Sequence, residues 1–159
     1  RLHMHTACGL LHSDYRTPSL DYEDLITLTS SLTRDVREVE KMYQLAVFNV
    51  LAHNRDDHSK NFSYLLNDEG NWALSPAYDL TFSSGPCGEQ STLVMGEGSR
   101  PGLSHLRSLG EEAKIATSRI DEIIDATCVA LSRWENLAGQ YGVSEYNIRL
   151  IGSKIRTGK

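Results

Sequence analysis

The stretch AHNRDDHSKNFSYLL, residues 52–66, is the densest polar cluster in the chain. An apolar, helix-like run precedes it and an apolar, strand-like run follows. Asn54, Arg55, Asp56, Asp57, His58, Lys60 and Asn61 crowd a single connection between two elements that belong in a core. Such a connection is either a well-solvated loop or a site.

The flanking periodicities set the frame. Val36, Val39, Met42, Tyr43, Ala46, Val47, Val50 and Leu51 recur at spacings of three, four and one, which predicts an amphipathic helix ending near His53. Asp35 followed by Glu38 resembles a capping box at its start. Downstream, NFSYLL and WALSP flank NDEG, a turn composition, so a β-hairpin is expected over Phe62–Leu66 and Trp72–Ser75, ended by Pro76. Residues 80–102 hold Gly85, Pro86, Gly88, Gly96, Gly98, Pro101 and Gly102 and read as a long loop, functional or mobile.

The remainder is helical or without period. Pro18 suits a helix start, with Leu20–Leu32 as the helix. Leu103–Leu109 reads as a short helix. Ser118–Tyr141 reads as one long helix with a core face from Ile120 to Tyr141, stopped by Gly142. Ser144–Ile155 closes the chain, and residues 1–17 show no clear period. The expected fold class is mainly α with one small hairpin.

Composition narrows the function classes. The 159 residues suit one domain, and 40% hydrophobic with 23% charged residues disfavours disorder. No apolar run approaches the roughly 18 residues of a membrane span, so no membrane association is expected. Cys8, Cys87 and Cys128 are odd in number and widely spaced, which points to reduced thiols and a cytoplasmic setting. A net charge of −5 disfavours a dedicated nucleic-acid domain. No signal peptide is visible, and a first residue of Arg1 leads us to expect a fragment of a longer protein.

The polar stretch carries a spacing with a physical reason. Asp56 and Asn61 are five apart, and Asp79 lies eighteen further on, past the hairpin. The protein-kinase catalytic loop H-R-D-x-x-x-x-N has the same Asp-to-Asn spacing, followed by a second metal-binding Asp. Here Arg55-Asp56-x-x-x-x-Asn61 follows that order, and Asn54 stands where the pattern has His. Phosphoryl transfer needs a carboxylate near the attacking hydroxyl and hard oxygen ligands for Mg²⁺. A tight loop followed by a hairpin can bring Asp56, Asn61 and Asp79 to one cleft, and Lys60 could meet a phosphate as a point charge.

FNVLAHNRDDHSKNFSYLL followed by WALSPAYDLTFS resembles the C-terminal domain of HipA-type toxin kinases, bacterial serine/threonine kinases of toxin–antitoxin modules. The family pattern, roughly F-N…D-x-H-x-K-N-F…L-x-P-x-Y-D, is met by Phe48, Asn49, Asp56, His58, Lys60, Asn61, Phe62, Leu74, Pro76, Tyr78 and Asp79. The upstream CGLLHSDYRTPSLDYEDL and the C-terminal helices are also similar, so the resemblance covers nearly the whole chain. It implies an ATP- and Mg²⁺-dependent kinase with Asp56 as the catalytic aspartate and Asn61 and Asp79 as metal ligands. His58 and Lys60 would shape the loop or meet phosphate, with Asp57 and Arg55 as less certain members. It further implies a protein substrate such as a translation factor or aminoacyl-tRNA synthetase. The implied partner is a HipB-like antitoxin, with DNA contacted only through the antitoxin complex. The family's preceding α/β lobe has no counterpart here, so residues 1–159 are expected to form a single C-terminal lobe, inactive when isolated.

Three other readings stand beside this one. The lobe could be a non-catalytic interaction module for an antitoxin or a separate N-terminal lobe. His53 and His58 with Asp56 and Asp57, or with His3, His5 and His12, could form the transition-metal site of a metallohydrolase. Asp56, Asp57 and Asn61 could simply satisfy orphan backbone groups where a helix turns into a hairpin. Tyr78 reads as packing.

Overall fold

The computed structural model describes residues 2–14, 20–85 and 88–156. The readings placed on Pro18 and Cys87 fall outside them. The first three elements are β1 (His3–Thr6), α1 (Ala7–Leu10) and α2 (Tyr22–Thr33). Then come α3 (Val36–Leu51), a single 3-10 turn at Ser59–Asn61, β2 (Ser63–Leu66) and β3 (Trp72–Leu74). Helices α4 (Leu103–Glu112), α5 (Thr117–Leu131), α6 (Trp134–Gln140) and α7 (Glu145–Gly152) complete the chain.

Helix α3 is the axis of the domain. Its apolar stripe, Val39, Met42, Tyr43, Ala46, Val47, Val50 and Leu51, is buried as the spacing predicts. Helix α2 packs along one side and α5 along the other, with α4 bridging to α5. Gly110 lets α4 approach closely, because a Cβ there would lie 2.7 Å from the Ile120 side chain and 3.0 Å from the ring of Tyr43.

The start of α3 departs from expectation in two ways. Asp35 caps it, accepting from the Arg37 N–H at 2.9 Å, but Glu38 does not close a capping box. Its buried carboxylate instead accepts the Leu74 N–H at 2.8 Å and the Lys41 ammonium at 2.6 Å. A backbone donor at the end of β3 otherwise lacks a strand partner, and a buried acceptor is worth more there than at a solvated helix end. Val36 begins the helix on its outer side and is exposed.

The hairpin forms within a residue of its expected bounds. Strands β2 and β3 are antiparallel, with Tyr64 opposite Leu74 and Leu66 opposite Trp72. Gly70 takes φ +82° in the turn, a region that favours glycine. The sheet has a third strand that the sequence did not announce. Strand β1 pairs antiparallel with β2, with Met4 opposite Leu65 and Thr6 opposite Ser63, giving the order β1-β2-β3. Its residues HMHT show no alternation of apolar side chains, and its partner lies far along the chain.

The long helix expected over 118–141 is two helices. Residues Ser132 and Arg133 break it, and α6 and α7 pack mainly on each other. The indole N–H of Trp134 donates to the Ile148 carbonyl at 3.1 Å. The break ends the helical register, so the apolar face stops being core. Ile120, Ile123, Ile124 and Cys128 are buried, whereas Leu137 is exposed and Tyr141 is 83% exposed. Gly142, at φ +72°, closes α6 as expected, with the Val143 N–H reaching back to the Ala138 carbonyl. Among the described residues no helix is long and apolar enough to cross a membrane.

This boundary of the core is measurable. Ile124→Ala is expected to lower unfolding free energy by about 2–5 kcal/mol. Tyr141→Ala should change it by less than about 0.5 kcal/mol. Urea denaturation of both variants checks the contrast, and similar losses would place Tyr141 in the core after all.

Candidate functional site

The polar connection begins where α3 ends. His53 takes φ +59°, and the N–H groups of His53 and Asn54 return to the carbonyls of Val50 and Asn49 at 3.4 and 2.9 Å. This is a Schellman stop with histidine where glycine is usual. The His53 ring stacks on Phe82 with centroids 5.5 Å apart, and its carbonyl accepts the Ser83 N–H at 3.1 Å. Burial first, then the positive charges of Arg55, Lys154 and Arg156, pull the His53 imidazole down to about 4. It is neutral near pH 7 and serves the turn.

Beyond this stop the chain alternates in direction. Arg55 sends its guanidinium to the Ser99 carbonyl at 3.0 Å. Asp56 is exposed, and Asp57 is buried, with 1% of its surface accessible. His58 is half-buried and precedes the 3-10 turn, while Lys60 is exposed. The Asn61 side chain returns to its own loop, Nδ2 donating to the Asp56 carbonyl at 2.9 Å. A carbonyl can accept only from the amide nitrogen, which turns the Asn61 Oδ1, a neutral oxygen, away from the Asp56 carbonyl.

The segment bearing Asp79 is tied to the same loop. The Tyr78 hydroxyl donates to the Lys60 carbonyl at 2.5 Å and lies 2.6 Å from the Ser63 hydroxyl. Tyr78, read from sequence as packing, is therefore the tether between the two halves of the site. Asp79 is exposed and takes φ +55°, a left-handed backbone that Asp tolerates better than most residues. The chain then runs beside its own past: Ser83 bridges Asn54 in parallel, and the Arg55 N–H donates to the Ser83 carbonyl at 3.3 Å. The loop expected over 80–102 is thus pinned at several described points.

Asp57 is the most heavily bonded side chain of the region. Its Oδ2 accepts from the Tyr22 hydroxyl at 2.7 Å and from Gln90 Nε2 at 2.9 Å. Its Oδ1 accepts the N–H groups of Ser91 and Thr92, each at 3.1 Å. The network continues: Asn49 Nδ2 donates to the Tyr22 hydroxyl at 2.9 Å, and Asn54 Nδ2 donates to Asn49 Oδ1 at 3.0 Å. Burial pushes the Asp57 carboxyl up to about 6, while the hydrogen bonds from Tyr22, Thr92 and Gln90 pull the other way. Burial, followed by the Asp57 charge, raises the Tyr22 hydroxyl well above its usual range.

Tyr22, Asn49, Gln90 and Thr92 escape a reading that looks for ligands. The available signal was Asn49, a polar residue inside the apolar half of α3, which requires a buried partner.

The donor set suits a hard cation bound together with phosphates. Mg²⁺ characteristically keeps several waters and takes one or two carboxylates plus substrate phosphate oxygens. Asn61 Oδ1 and the Asp79 carboxylate lie on tethered segments and are oxygen donors of the kind Mg²⁺ takes. Among the described residues no group of three or more His, Cys, Asp or Glu could hold a metal. That removes the support for a His/Asp metallohydrolase, whose ligands would include Asp57 and His53, both occupied structurally.

Residues 1–134 match the model of the family described as HipA-like C-terminal domain. A protein of Sinorhizobium fredii (strain NBRC 101917 / NGR234) named "Putative kinase Y4mE" is 28% identical over 109 residues, covering 63% of this chain and 26% of that protein. Among solved structures, a chain of the Shewanella oneidensis MR-1 toxin–antitoxin complex of HipA, HipB and operator DNA superposes with a TM-score of 0.76 at 14% identity. The match covers 98% of this chain and 42% of that one. The chain therefore spans about a quarter of its kinase-named relative and under half of the solved structure it resembles. The mainly helical fold with a small three-stranded antiparallel sheet is that of the matched lobe.

Two measurements test this geometry. The native Asp57 keeps its proton to higher pH than the unfolded chain does. Its contribution to stability is full below about pH 4 and is lost as pH rises through about 6, on the order of 3 kcal/mol in total. Unfolding free energies of wild type minus those of Asp57→Asn should fall across that window and be flat outside it. Tyr78→Phe should destabilise by about 1–2 kcal/mol and raise amide exchange at Lys60–Ser63, as read by hydrogen–deuterium exchange. Unchanged exchange there would remove Tyr78 as the tether.

Proposed function

The chain belongs to the HipA-like C-terminal domain family, and from that premise we propose that residues 1–159 form the C-terminal lobe of an ATP- and Mg²⁺-dependent serine/threonine-protein kinase, the toxin of a toxin–antitoxin module. The observation that carries this reading is the double tether. The Asn61 amide is bonded to the Asp56 carbonyl, and the Tyr78 hydroxyl is bonded to the Lys60 carbonyl, one residue from each proposed metal ligand.

In the proposed reaction a Ser or Thr hydroxyl of a protein substrate attacks the γ-phosphorus of ATP. The new P–O bond forms as the bond to the β-phosphate oxygen breaks, and ADP leaves. Asp56, exposed at the crest of the loop, orients the hydroxyl and accepts its proton. Asn61 Oδ1 and Asp79 would hold Mg²⁺, which when bound neutralises charge on the β- and γ-phosphates. Lys60, exposed on the same loop, and the half-buried His58 would meet a phosphate or shape the turn. Arg55, whose guanidinium donates to the Ser99 carbonyl, and Asp57 are the outer members of the proposed set.

Protein substrate and partner follow the same premise. A HipB-like antitoxin is the proposed partner, because the solved structure that shares this fold was determined with HipB and operator DNA. Contact with DNA is proposed only through that partner. The reading as an interaction module is compatible with this and needs no separate site.

Kinase assays decide the matter. In the longer protein carrying a preceding nucleotide-binding lobe, Asp56→Ala should lower kcat by at least about 1,000-fold, with ATP still bound. Asp79→Asn should raise the Mg²⁺ concentration needed for half-maximal activity. The 159-residue chain alone should show no ATP-dependent phosphorylation. Activity of Asp56→Ala near the wild-type level would end the assignment of Asp56.

A further inference from the structure

Asp57 adjoins the proposed catalytic aspartate yet plays no part in the reaction above. We infer that Asp57 is a positioning residue: its buried carboxylate clamps the 90–92 segment and helix α2 onto the 54–61 connection and so fixes the direction in which Asp56 leaves the loop. The kinetic part of this inference rests on the kinase reading; the structural part does not.

The geometry carries it in three steps. First, burial changes from residue to residue along the connection, and a carboxylate held inward at 57 leaves its neighbour on the outer side at 56. Asp57 is buried and Asp56 exposed. Second, four donors to the carboxylate come from outside the 54–61 connection: Tyr22 from α2, and Gln90, Ser91 and Thr92 from the distant segment. A carboxylate merely satisfied by its own turn would not join separate parts of the chain. Third, the clamp is doubled through the backbone. The Thr92 hydroxyl donates to the Asp57 carbonyl at 2.5 Å, and Gln90 Nε2 also donates to the Asn54 carbonyl at 3.1 Å. The Ser91 N–H and hydroxyl both reach the Arg55 carbonyl, at 3.1 and 2.9 Å. The connection is thus gripped at residues 54, 55 and 57, immediately around Asp56.

The chemistry selects Asp at this position. An ionised carboxylate offers acceptor sites only, matching four donors. Asparagine must turn its NH₂ either toward the two backbone N–H groups or toward Gln90, so one grip is lost in each orientation. Helix α2 is itself fastened to the same distal segment, since Asp21 accepts the N–H groups of Met95 and Gly96 at 3.1 and 2.7 Å. A loosened Asp57 therefore frees the connection without unfastening α2.

The test combines two readouts on Asp57→Asn and the milder Tyr22→Phe, which removes one donor from Asp57. In the 159-residue chain, hydrogen–deuterium exchange should rise at Ser91, Thr92 and the 54–61 amides while α3 and α5 stay protected. In the longer kinase, kcat should fall about 10–100-fold for Asp57→Asn, the scale of a small misplacement of a reacting group. KM for ATP should stay within about threefold, and Tyr22→Phe should show the same pattern more weakly. Unchanged exchange in both variants overturns the inference. So does a loss of kcat as deep as that of Asp56→Ala without any local exchange, which would make Asp57 the reacting carboxylate. If Asp57→Asn fails to fold, Tyr22→Phe decides by the same criteria. If the wild-type longer protein transfers no phosphoryl group, the kinase reading falls and the exchange result alone decides the clamp.

Discussion

One buried carboxylate organises the candidate site of this molecule. Asp57 has no cation beside it within the network described. Its charge is compensated by dipoles, two from backbone N–H groups and two from the Tyr22 and Gln90 side chains. A charge removed from water without such donors would be far more costly than any loop conformation could offset. The polar connection can pack against residues 90–92 because the two stretches of chain satisfy each other's polar groups. The apolar helices α2, α3 and α5 then need only supply a floor, and they do so with an ordinary core.

From that floor the candidate site is an assembly of short tethers. Glu38 holds the end of β3, Tyr78 holds the chain beyond it to Lys60 and Ser63, and Asn61 closes the loop on Asp56. Each tether uses a side chain to satisfy a backbone group that regular secondary structure leaves over. The arrangement explains why a domain with so little sheet carries a hairpin at all. The hairpin is the lever that returns the chain from Asn61 to Asp79.

Much of this was legible in the sequence because it is written locally. The stripe of α3, the turn at Gly70 and the Asp56–Asn61–Asp79 order depend on spacing alone, and spacing survives without knowledge of packing. What was illegible depends on partners distant in the chain. Strand β1 exists because β2 offers an edge to it. Glu38 leaves its helix end because Leu74 needs an acceptor. The apolar run through Leu137 and Tyr141 keeps helical spacing across a break, so periodicity alone could not tell core from surface there. Asp57 shows the same limit within the motif itself: sequence placed it beside the proposed reacting group, and only its donors reveal that it faces the other way.

The left-handed backbone at Asp79 has a consequence for how this lineage could change. At φ +55° the residues that fit with little strain are Gly, Asn and Asp. Of these only Asp carries a charge. A single-codon drift to Asn or Gly would leave the fold, the Tyr78 tether and the sheet undisturbed while discarding the proposed charged ligand. On the proposed kinase reading, the backbone at this point would make loss of the charged ligand a short and structurally silent step, and a homologue with Gly or Asn here would keep the shape of the lobe without it.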